Sequence, residues 1–427
     1  MHIPDGYISP IMTLGSGAIT VPVWYTATRK VKAILDNRTI PLLAVFSALS
    51  FTIMMFNIPV PGGTTAHGVG GTLAAIVLGP WAAVLTVSTA LIIQALFFGD
   101  GGILAIFTNC LTMGIILPFV GYATYRLASS RAPLLSTRRA VAAGIGGYVG
   151  ITVAALVVGI LLGLQPILFT EGGRPLYSPY GLETAVPAML AAHMFGASIV
   201  EALITGLGIA YLQKRHPELL VSLKSVFAAD AITQGTASLR PMWQIITGTV
   251  LGGIAVLAVV GLAMGGGDPG HLFGADWSTV SGPDIGVMLA VTAVIAFVIV
   301  PLAYLVLPKR LKRVGAAFTA IAVLAPLGLI APGLAFGEGS TGDVQAAFGY
   351  VPQGLHDLAN VFSAPLSGYD IPLPFFNGAT SGLWQVGIGY EIAGIIGILL
   401  CGGAVIGLTR LIRRIGGSAD PAEAPTT

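Results

Sequence analysis

Long apolar runs alternate with short polar connections along most of the chain. A helix needs about 20 residues to cross the hydrocarbon core of a bilayer. Such runs, one of them short, lie at 10–28, 40–56, 69–79, 81–98, 103–125, 140–164, 184–212, 242–264, 285–306, 315–336 and 389–409. Gly79-Pro80 divides one apolar stretch into two helices, because proline removes a backbone donor and clashes with the preceding turn. The pattern predicts an all-α polytopic membrane protein, with about seven helices in a bundle and about four transmembrane helices after it.

Changes in composition divide the predicted helices into regions. We predict a bundle at 1–215, a cytoplasmic linker at 216–241, an extra transmembrane hairpin at 242–306, a second hairpin with a long outer loop at 315–413 and a disordered tail at 414–427. The linker is marked by a rise in Lys, Arg, Gln and Ser. The pattern suggests no function for 242–306.

Composition and charge exclude several classes of protein. Hydrophobic residues make up 55% of the chain and charged residues 9%, whereas soluble domains carry about 25% charged residues. The net charge of +2 and the lack of a basic cluster with interleaved aromatics indicate no nucleic-acid partner. The sequence has no G-x-x-x-x-G-K-[ST], H-E-x-x-H or G-x-S-x-G motif. We therefore expect a protein that is not an enzyme.

The positions of the basic residues predict how the helices are oriented across the membrane. With the N-terminus outside and eleven spans, 19 of the 20 Lys and Arg residues fall in cytoplasmic segments and only Arg174 falls outside. Cytoplasmic loops of membrane proteins are enriched in Lys and Arg. We expect a multi-pass protein of the cell membrane with its C-terminus in the cytoplasm. A re-entrant segment around Gly79-Pro80 is the alternative topology.

The chain opens with MHIPDGYIS, which carries the donor atoms of a metal chelator. The Met1 amine, the His2 amide nitrogen and His2 Nδ1 can close fused five- and six-membered rings around one cation. Planar nitrogen sets suit Ni²⁺ or Cu²⁺, and Co²⁺ also accepts them. We expect Met1 to remain as the mature terminus, because the basic region of a cleaved signal is lacking. The alternative is a frayed, solvated His2, since termini are commonly disordered.

His67 is the second candidate ligand and follows the second predicted span, in PVPGGTTAHGVGG. The flanking glycines permit tight turns and close backbone approach, so an inserted N-terminal segment can reach this imidazole. Histidine is the commonest metal ligand in proteins. The alternative is that His67 caps or borders the next helix.

Three motifs in order carry a resemblance to a known family. MHIPDGYIS, then PGGTTAHGVGG with LGPWAA, then LFFGDGGILAIFTNCLTMGI resemble the substrate-specific subunit of energy-coupling-factor transporters for cobalt and nickel, the CbiM/NikM family. The likeness covers about residues 1–215. It implies that the N-terminus folds back into the bundle and that Met1, His2 and His67 hold Co²⁺ or Ni²⁺ as transported substrate, with no permanently bound cofactor. It also implies a coupling transmembrane subunit and ATP-binding cassette ATPases as partners, besides the lipid bilayer.

This chain departs from the family pattern at two places. Family members usually carry GGTSGH where this chain has GGTTAH at 62–67, and Thr112 stands where a second asparagine is usual. Groups that contact the ligands fix the tautomer and orientation of ligating imidazoles. We expect Asp5, Thr65 and Asn109 to have this role.

The second hairpin carries a weaker likeness to the same transporters. VPQGLH at 351–356 resembles a degenerate form of the PDGLE element of their small accessory subunits, with Gln353 and His356 in place of its Asp and Glu. We therefore expect 315–413 to be a fused accessory region.

Three other polar residues have competing interpretations. Asp100 is expected to cap the fifth helix, with metal capture as the alternative. His193 and Glu201 are eight residues apart in the seventh span. Ionisable groups in spans are functional candidates, but no family motif covers this pair, so we expect it to be an internal packing pair.

The sequence thus predicts the substrate-binding membrane subunit of an ATP-driven importer for Co²⁺ or Ni²⁺. The alternative is an autonomous secondary metal transporter or channel, which would show ionisable residues in several spans and inverted repeats. An intramembrane enzyme is a third class, disfavoured by the missing motifs. Both metals accept nitrogen ligands, so the sequence does not choose between them.

Overall fold

The computed structural model describes residues 1–35, 39–60, 64–222, 323–330, 335–376 and 382–415, together with 287, 290–295 and 301. The predicted hairpin at 242–306 lies almost wholly outside the described residues. The same holds for most of the predicted span at 315–336, for the linker after residue 222 and for the tail after residue 415.

Helices form most of the described chain. In the first 222 residues they are α1 (Pro10–Lys32), α2 (Thr39–Met55), α3 (Gly71–Leu78), α4 (Pro80–Phe98), α5 (Ile106–Ala128), α6 (Thr137–Gly163, followed by a single turn Gln165–Leu168), α7 (Leu182–Arg215) and α8 (Pro217–Ser222). Further along are α9 (Thr341–Phe348), α10 (Gln353–Leu358) and α11 (Leu383–Ile415), with 3₁₀ turns at Ala325–Ile330 and Ser367–Tyr369.

Two short antiparallel hairpins complete the secondary structure of the described residues. In the first, β1 (Ile58–Val60) pairs with β2 (Thr64–Ala66), with Ile58 opposite Ala66. In the second, β3 (Thr170–Glu171) pairs with β4 (Arg174–Pro175). Hairpin β1–β2 leads directly to His67.

The helices agree with the hydrophobic pattern. Among the described residues, α4, α5, α6 with its following turn, α7 and α11 are long and apolar enough to cross a membrane, and α2 is a shorter apolar helix. With α1 and the short α3, the seven helices predicted in residues 1–215 are present. Gly79, at φ +89°, separates α3 from Pro80 of α4. The prediction of an all-α polytopic membrane protein is confirmed.

Three of the long helices contain a π-helical turn. These turns lie at Gln94–Phe98 in α4, Cys110–Ile116 in α5 and His193–Ala197 in α7. A π-helical turn holds more residues than an α-helical one, so it changes which side chains share a face, and such turns are frequent at functional sites. Gln94 of the first turn contacts His2.

Small residues set the close packing of α5, α6 and α7. A Cβ on Gly147 of α6 would lie 2.8 Å from the Glu201 carbonyl oxygen of α7, and one on Gly150 would lie 2.9 Å from that of Leu117 in α5. Only glycine permits such an approach, which is typical of helix contacts in membranes.

The segment 335–376 covers the end of the bundle that carries the N-terminus. Tyr7 donates a hydrogen bond to the Gly339 carbonyl oxygen at 2.8 Å. The Leu366 amide donates to the carbonyl of Phe97, at the end of α4, over 2.8 Å. After this segment, α11 packs beside α2, where Tyr390 donates to the Met55 carbonyl oxygen at 2.7 Å. The N-terminal segment is therefore enclosed between the bundle and the C-terminal region.

Candidate metal centre

The first nine residues form an ordered, buried segment inside the mouth of the bundle. Met1, His2 and Ile3 expose 4% or less of their surface. Asn109 of α5 holds the backbone of Ile3 from both sides, since its Oδ1 accepts from the Ile3 amide at 2.9 Å and its Nδ2 donates to the Ile3 carbonyl at 3.1 Å. The alternative of a frayed, solvated His2 is therefore wrong.

The imidazoles of His2 and His67 meet at the centre of this mouth. His67 Nε2 lies 3.1 Å from His2 Nδ1, and the ring centroids are 4.9 Å apart. His67 Nδ1 lies 2.9 Å from the Gly68 carbonyl oxygen. A carbonyl oxygen only accepts hydrogen bonds, so this contact places the hydrogen on Nδ1 and leaves a lone pair on Nε2 of His67.

Both ring nitrogens of His2 face a hydrogen-bond acceptor. Gln94 uses its amide nitrogen to donate to Asp100 Oδ2 at 3.1 Å, so its Oε1 faces His2 Nε2 at 3.3 Å. Tyr369 supports the same orientation, because its hydroxyl accepts from Gln94 at 2.9 Å and donates to Asp100 at 2.5 Å. Gln94 Oε1 therefore accepts a hydrogen from Nε2, whereas Asp100 Oδ1, 3.1 Å from Nδ1, accepts a hydrogen there. A neutral ring carries one of these two hydrogens, and Nδ1 is a metal donor when the hydrogen is on Nε2.

Both imidazoles are held in the neutral form. Burial, and after it the nearby terminal amine, lower the pKa of His2 to about 4. Burial and the same amine hold the pKa of His67 well below its ordinary value. Neutral imidazole is the form that ligates metals, because the lone pair is free.

Glu338 joins the site from the C-terminal region. Its Oε1 accepts from the Met1 amine at 3.0 Å and from the His2 amide at 2.9 Å. One nitrogen each of His2 and His67 and one oxygen of Glu338 lie within 4.8 Å of one another. Glu338 is not among the site residues predicted from the sequence. Its only local signal is an acidic residue between two glycines just beyond an apolar run.

The comparisons with known proteins agree with these features. Residues 2–219 match CbiM, the cobalt uptake substrate-specific transmembrane region. The chain belongs to the CbiM family. The family region is followed here by a C-terminal extension, and Glu338 and Tyr369 lie in that extension. The resemblance stated from the sequence motifs is confirmed.

Named relatives share this CbiM-family region and, in part, the extension. The fused nickel transport protein NikMN of Rhodobacter capsulatus is 34% identical, over 97% of this chain and 100% of that protein. The probable fused nickel transport protein LarMN of Lactiplantibacillus plantarum is 45% identical, over 59% of this chain and 77% of that protein. A crystal structure of a truncated transition metal transporter is 53% identical, covers 51% of this chain and 100% of that chain, and has a TM-score of 0.48.

The residues expected to support the ligands of this CbiM-family site occupy different places. Asn109 clamps Ile3, as described above. Asp5 accepts hydrogen bonds from the backbone of the loop before α5, from Leu104 at 2.8 Å and from Ile103 at 3.2 Å. Thr65 is buried on β2, opposite Pro59 and two residues before His67. Asp5 and Asn109 therefore fix the path of the N-terminal segment, and Thr65 belongs to the strand that leads to His67.

The prediction that Asp100 caps the fifth helix is wrong. The carboxylate of Asp5 accepts hydrogen bonds from the backbone N–H groups of the loop before α5, because insertion of the N-terminal segment brings Asp5 to this loop. Asp100 instead accepts from Tyr369 and Gln94, and its Oδ1 lies 3.1 Å from His2 Nδ1. Burial raises the pKa of Asp100, and the hydrogen bond from Tyr369 opposes that rise.

The predicted packing pair of His193 and Glu201 is also wrong. His193 Nδ1 contacts the Met189 carbonyl oxygen of its own helix at 2.7 Å. The π-helical turn His193–Ala197 lies between the two residues and changes the faces that they occupy. Glu201 turns to the start of α3, where its Oε2 accepts from the amides of Val69 at 2.8 Å and Gly70 at 2.7 Å.

Proposed function

We propose that this chain is the substrate-binding membrane subunit of an ATP-driven energy-coupling-factor importer for Co²⁺ and Ni²⁺. The ligands would be the Met1 amine, the His2 amide nitrogen, His2 Nδ1 and His67 Nε2. Membership of the CbiM family and the printed names of the fused relatives, which are nickel transport proteins, support the metal class. The metal is the transported substrate, and we propose no permanently bound cofactor.

The observation that carries this proposal is the close approach of the two buried imidazoles, whose His2 Nδ1 and His67 Nε2 atoms lie 3.1 Å apart. Two ligand atoms that each lie about 2.1 Å from one cation and at right angles to each other are about 3.0 Å apart. The observed separation therefore suits two neighbouring ligands of one metal ion.

The remaining donors favour Co²⁺ and Ni²⁺ over oxygen-seeking cations such as Mg²⁺ and Ca²⁺. The amine belongs to Met1, and the amide nitrogen and the imidazole belong to His2. Because short covalent links join these donors, they close chelate rings around one cation. Nitrogen sets of this kind suit the later first-row metals, whereas Mg²⁺ and Ca²⁺ prefer oxygen ligands. The buried position of Met1, His2 and His67 also separates the metal from bulk water.

ATP would be used by partner subunits. The sequence contains no phosphate-binding loop of the G-x-x-x-x-G-K-[ST] type. We therefore propose a coupling transmembrane subunit and ATP-binding cassette ATPases as partners in the cell membrane. The N-terminus would lie outside and the C-terminus in the cytoplasm, with residues 315–413 as a fused accessory region. Uptake that persists without the ATPases would favour the alternative of an autonomous transporter or channel.

Substitution of His67 tests the proposed site. His67→Ala should lower Ni²⁺ and Co²⁺ affinity by more than about 100-fold, because loss of groups that only support a ligand already costs 10–100-fold. The measurement is metal titration of the full chain in detergent. His356→Ala is the matched control, since this histidine lies in α10 with a side chain that is 71% exposed. Equal affinities for the two variants would contradict the proposal.

A further inference from the structure

Glu338 occupies a position that the nitrogen ligands alone leave unexplained. It lies 336 residues from His2 in sequence, beyond the family region that ends at residue 219. One of its oxygens contacts two of the four proposed ligand nitrogens, at 3.0 Å and 2.9 Å. Asp100, the other carboxylate nearby, contacts His2 Nδ1 with one oxygen, and Tyr369 and Gln94 occupy the other.

We infer that Glu338 is an oxygen ligand to the transported cation, supplied by the C-terminal region at the solvent side of the nitrogen set. The inference rests on the proposed function. It adds to the nitrogen site a ligand from outside the family region.

The distances support this ligand. Neighbouring ligands on one cation lie about 3.0 Å apart when each bond is about 2.1 Å. Glu338 Oε1 meets this separation from both Met1 N and His2 N, as the two imidazole nitrogens do from each other. The amide gives up its only hydrogen when it ligates, whereas a ligating amine keeps two N–H groups. Glu338 therefore loses its hydrogen bond from the His2 amide, and its carboxylate can bind the cation.

Solvent access gives Glu338 the first contact with an entering cation. The side chain of Glu338 is 22% exposed, whereas that of Met1 is fully buried and His2 and His67 expose 4% or less. A carboxylate at the entrance attracts a divalent cation through its charge, and carboxylate oxygen binds such cations. The cation would therefore meet the oxygen first and then reach the nitrogens.

The backbone holds Glu338 in this place. Its amide donates to the Ala335 carbonyl oxygen at 3.0 Å, which closes a turn through Gly337 at φ +79°. On the other side, Tyr7 binds the Gly339 carbonyl oxygen at 2.8 Å. The carboxylate is thus fixed to the same N-terminal segment whose nitrogens it contacts.

The test compares Glu338→Gln with Glu171→Gln in the full chain in detergent. Glu171 is an exposed carboxylate on β3 that lines a surface cavity with Gln353 of α10, so its substitution removes the same charge from a surface that includes the C-terminal region. Ni²⁺ is added, and the visible ligand-field absorption and the association rate are measured by stopped flow. We expect Glu338→Gln to change the absorption bands and to slow association about tenfold or more, while Glu171→Gln matches the wild type.

Unchanged bands and an unchanged rate in Glu338→Gln would overturn the inference. Glu338→Asp keeps a carboxylate that is one methylene shorter, and it serves if the glutamine variant does not fold. It should bind Ni²⁺ more slowly than the wild type, and an unaltered rate and spectrum would again overturn the inference. His67→Ala separates the two proposals, because normal binding by that variant contradicts the nitrogen site itself.

Discussion

Glu201 anchors the turn that carries His67, so its substitution should affect both folding and metal binding. The side chain is fully buried on α7, and its carboxylate accepts from the amides of Val69 at 2.8 Å, Gly70 at 2.7 Å and Thr72 at 3.4 Å. Val69 and Gly70 directly precede α3 and Thr72 lies in its first turn, where amide N–H groups have no partner within the helix. His67 stands two residues before Val69.

The magnitude follows from the change of acceptor in Glu201→Gln. A hydrogen bond to a charged group contributes about 1.5–3 kcal/mol and a neutral one about 0.5–1.5 kcal/mol. Two short bonds each lose about 1 kcal/mol on this basis, so we expect the free energy of unfolding to fall by about 2 kcal/mol. His67 can ligate only while the turn is in place. The metal affinity should therefore fall by up to about 30-fold, at 1.4 kcal/mol for each factor of ten.

The assay is thermal unfolding and Ni²⁺ titration of the full chain in detergent. Glu183→Gln is the matched control, because Glu183 is exposed in the first turn of the same helix. The control should unfold and bind as the wild type does. If Glu201→Gln is indistinguishable from the control in both measurements, the carboxylate does not hold the turn and the reasoning is refuted.

Two other predictions concern the N-terminal segment and the topology. Asp5→Ala should lower the free energy of unfolding by about 1–2 kcal/mol, as loss of a helix cap does. It should also weaken Ni²⁺ binding, because the loop before α5 loses its hydrogen-bond acceptor. Thermal unfolding and Ni²⁺ titration measure these effects, and wild-type values in both would contradict the role of Asp5. Reporters fused near residue 135 and near residue 345 should be cytoplasmic and outside respectively, and placement of the second in the cytoplasm would contradict the proposed orientation.

Much of the fold was predictable because bilayer thickness imposes a length that the sequence displays directly. The seven apolar runs of residues 1–215 all became helices, and Pro80 began α4 where its missing donor required a break. The donor atoms of Met1 and His2 were also visible, because chelation depends on covalent spacing at the start of the chain. Each of these inferences used a local property.

The misplaced residues depend on contacts between distant parts of the chain. Asp5 and Asp100 are both acidic residues beside turns, and only the insertion of the N-terminal segment decides which of them meets the loop before α5. The π-helical turn in α7 changes the helix faces on which His193 and Glu201 lie, and no periodic pattern in the sequence predicts this turn. Glu338 reaches Met1 across 337 residues, so its role required the packed structure.

The Met1 amine is a proposed metal ligand, and the addition of a single residue before His2 tests that role. One alanine inserted before His2 moves the amine by up to about 3.5 Å and adds an amide to the ring system. The added residue must also fit into the space in which the Met1 side chain is fully buried. Extension by one alanine after Thr427 is the matched control. Ni²⁺ titration of both proteins in detergent should show binding lost in the first and unchanged in the second. Tight binding by the protein extended before His2 would contradict the amine ligand and, with it, the account of the site.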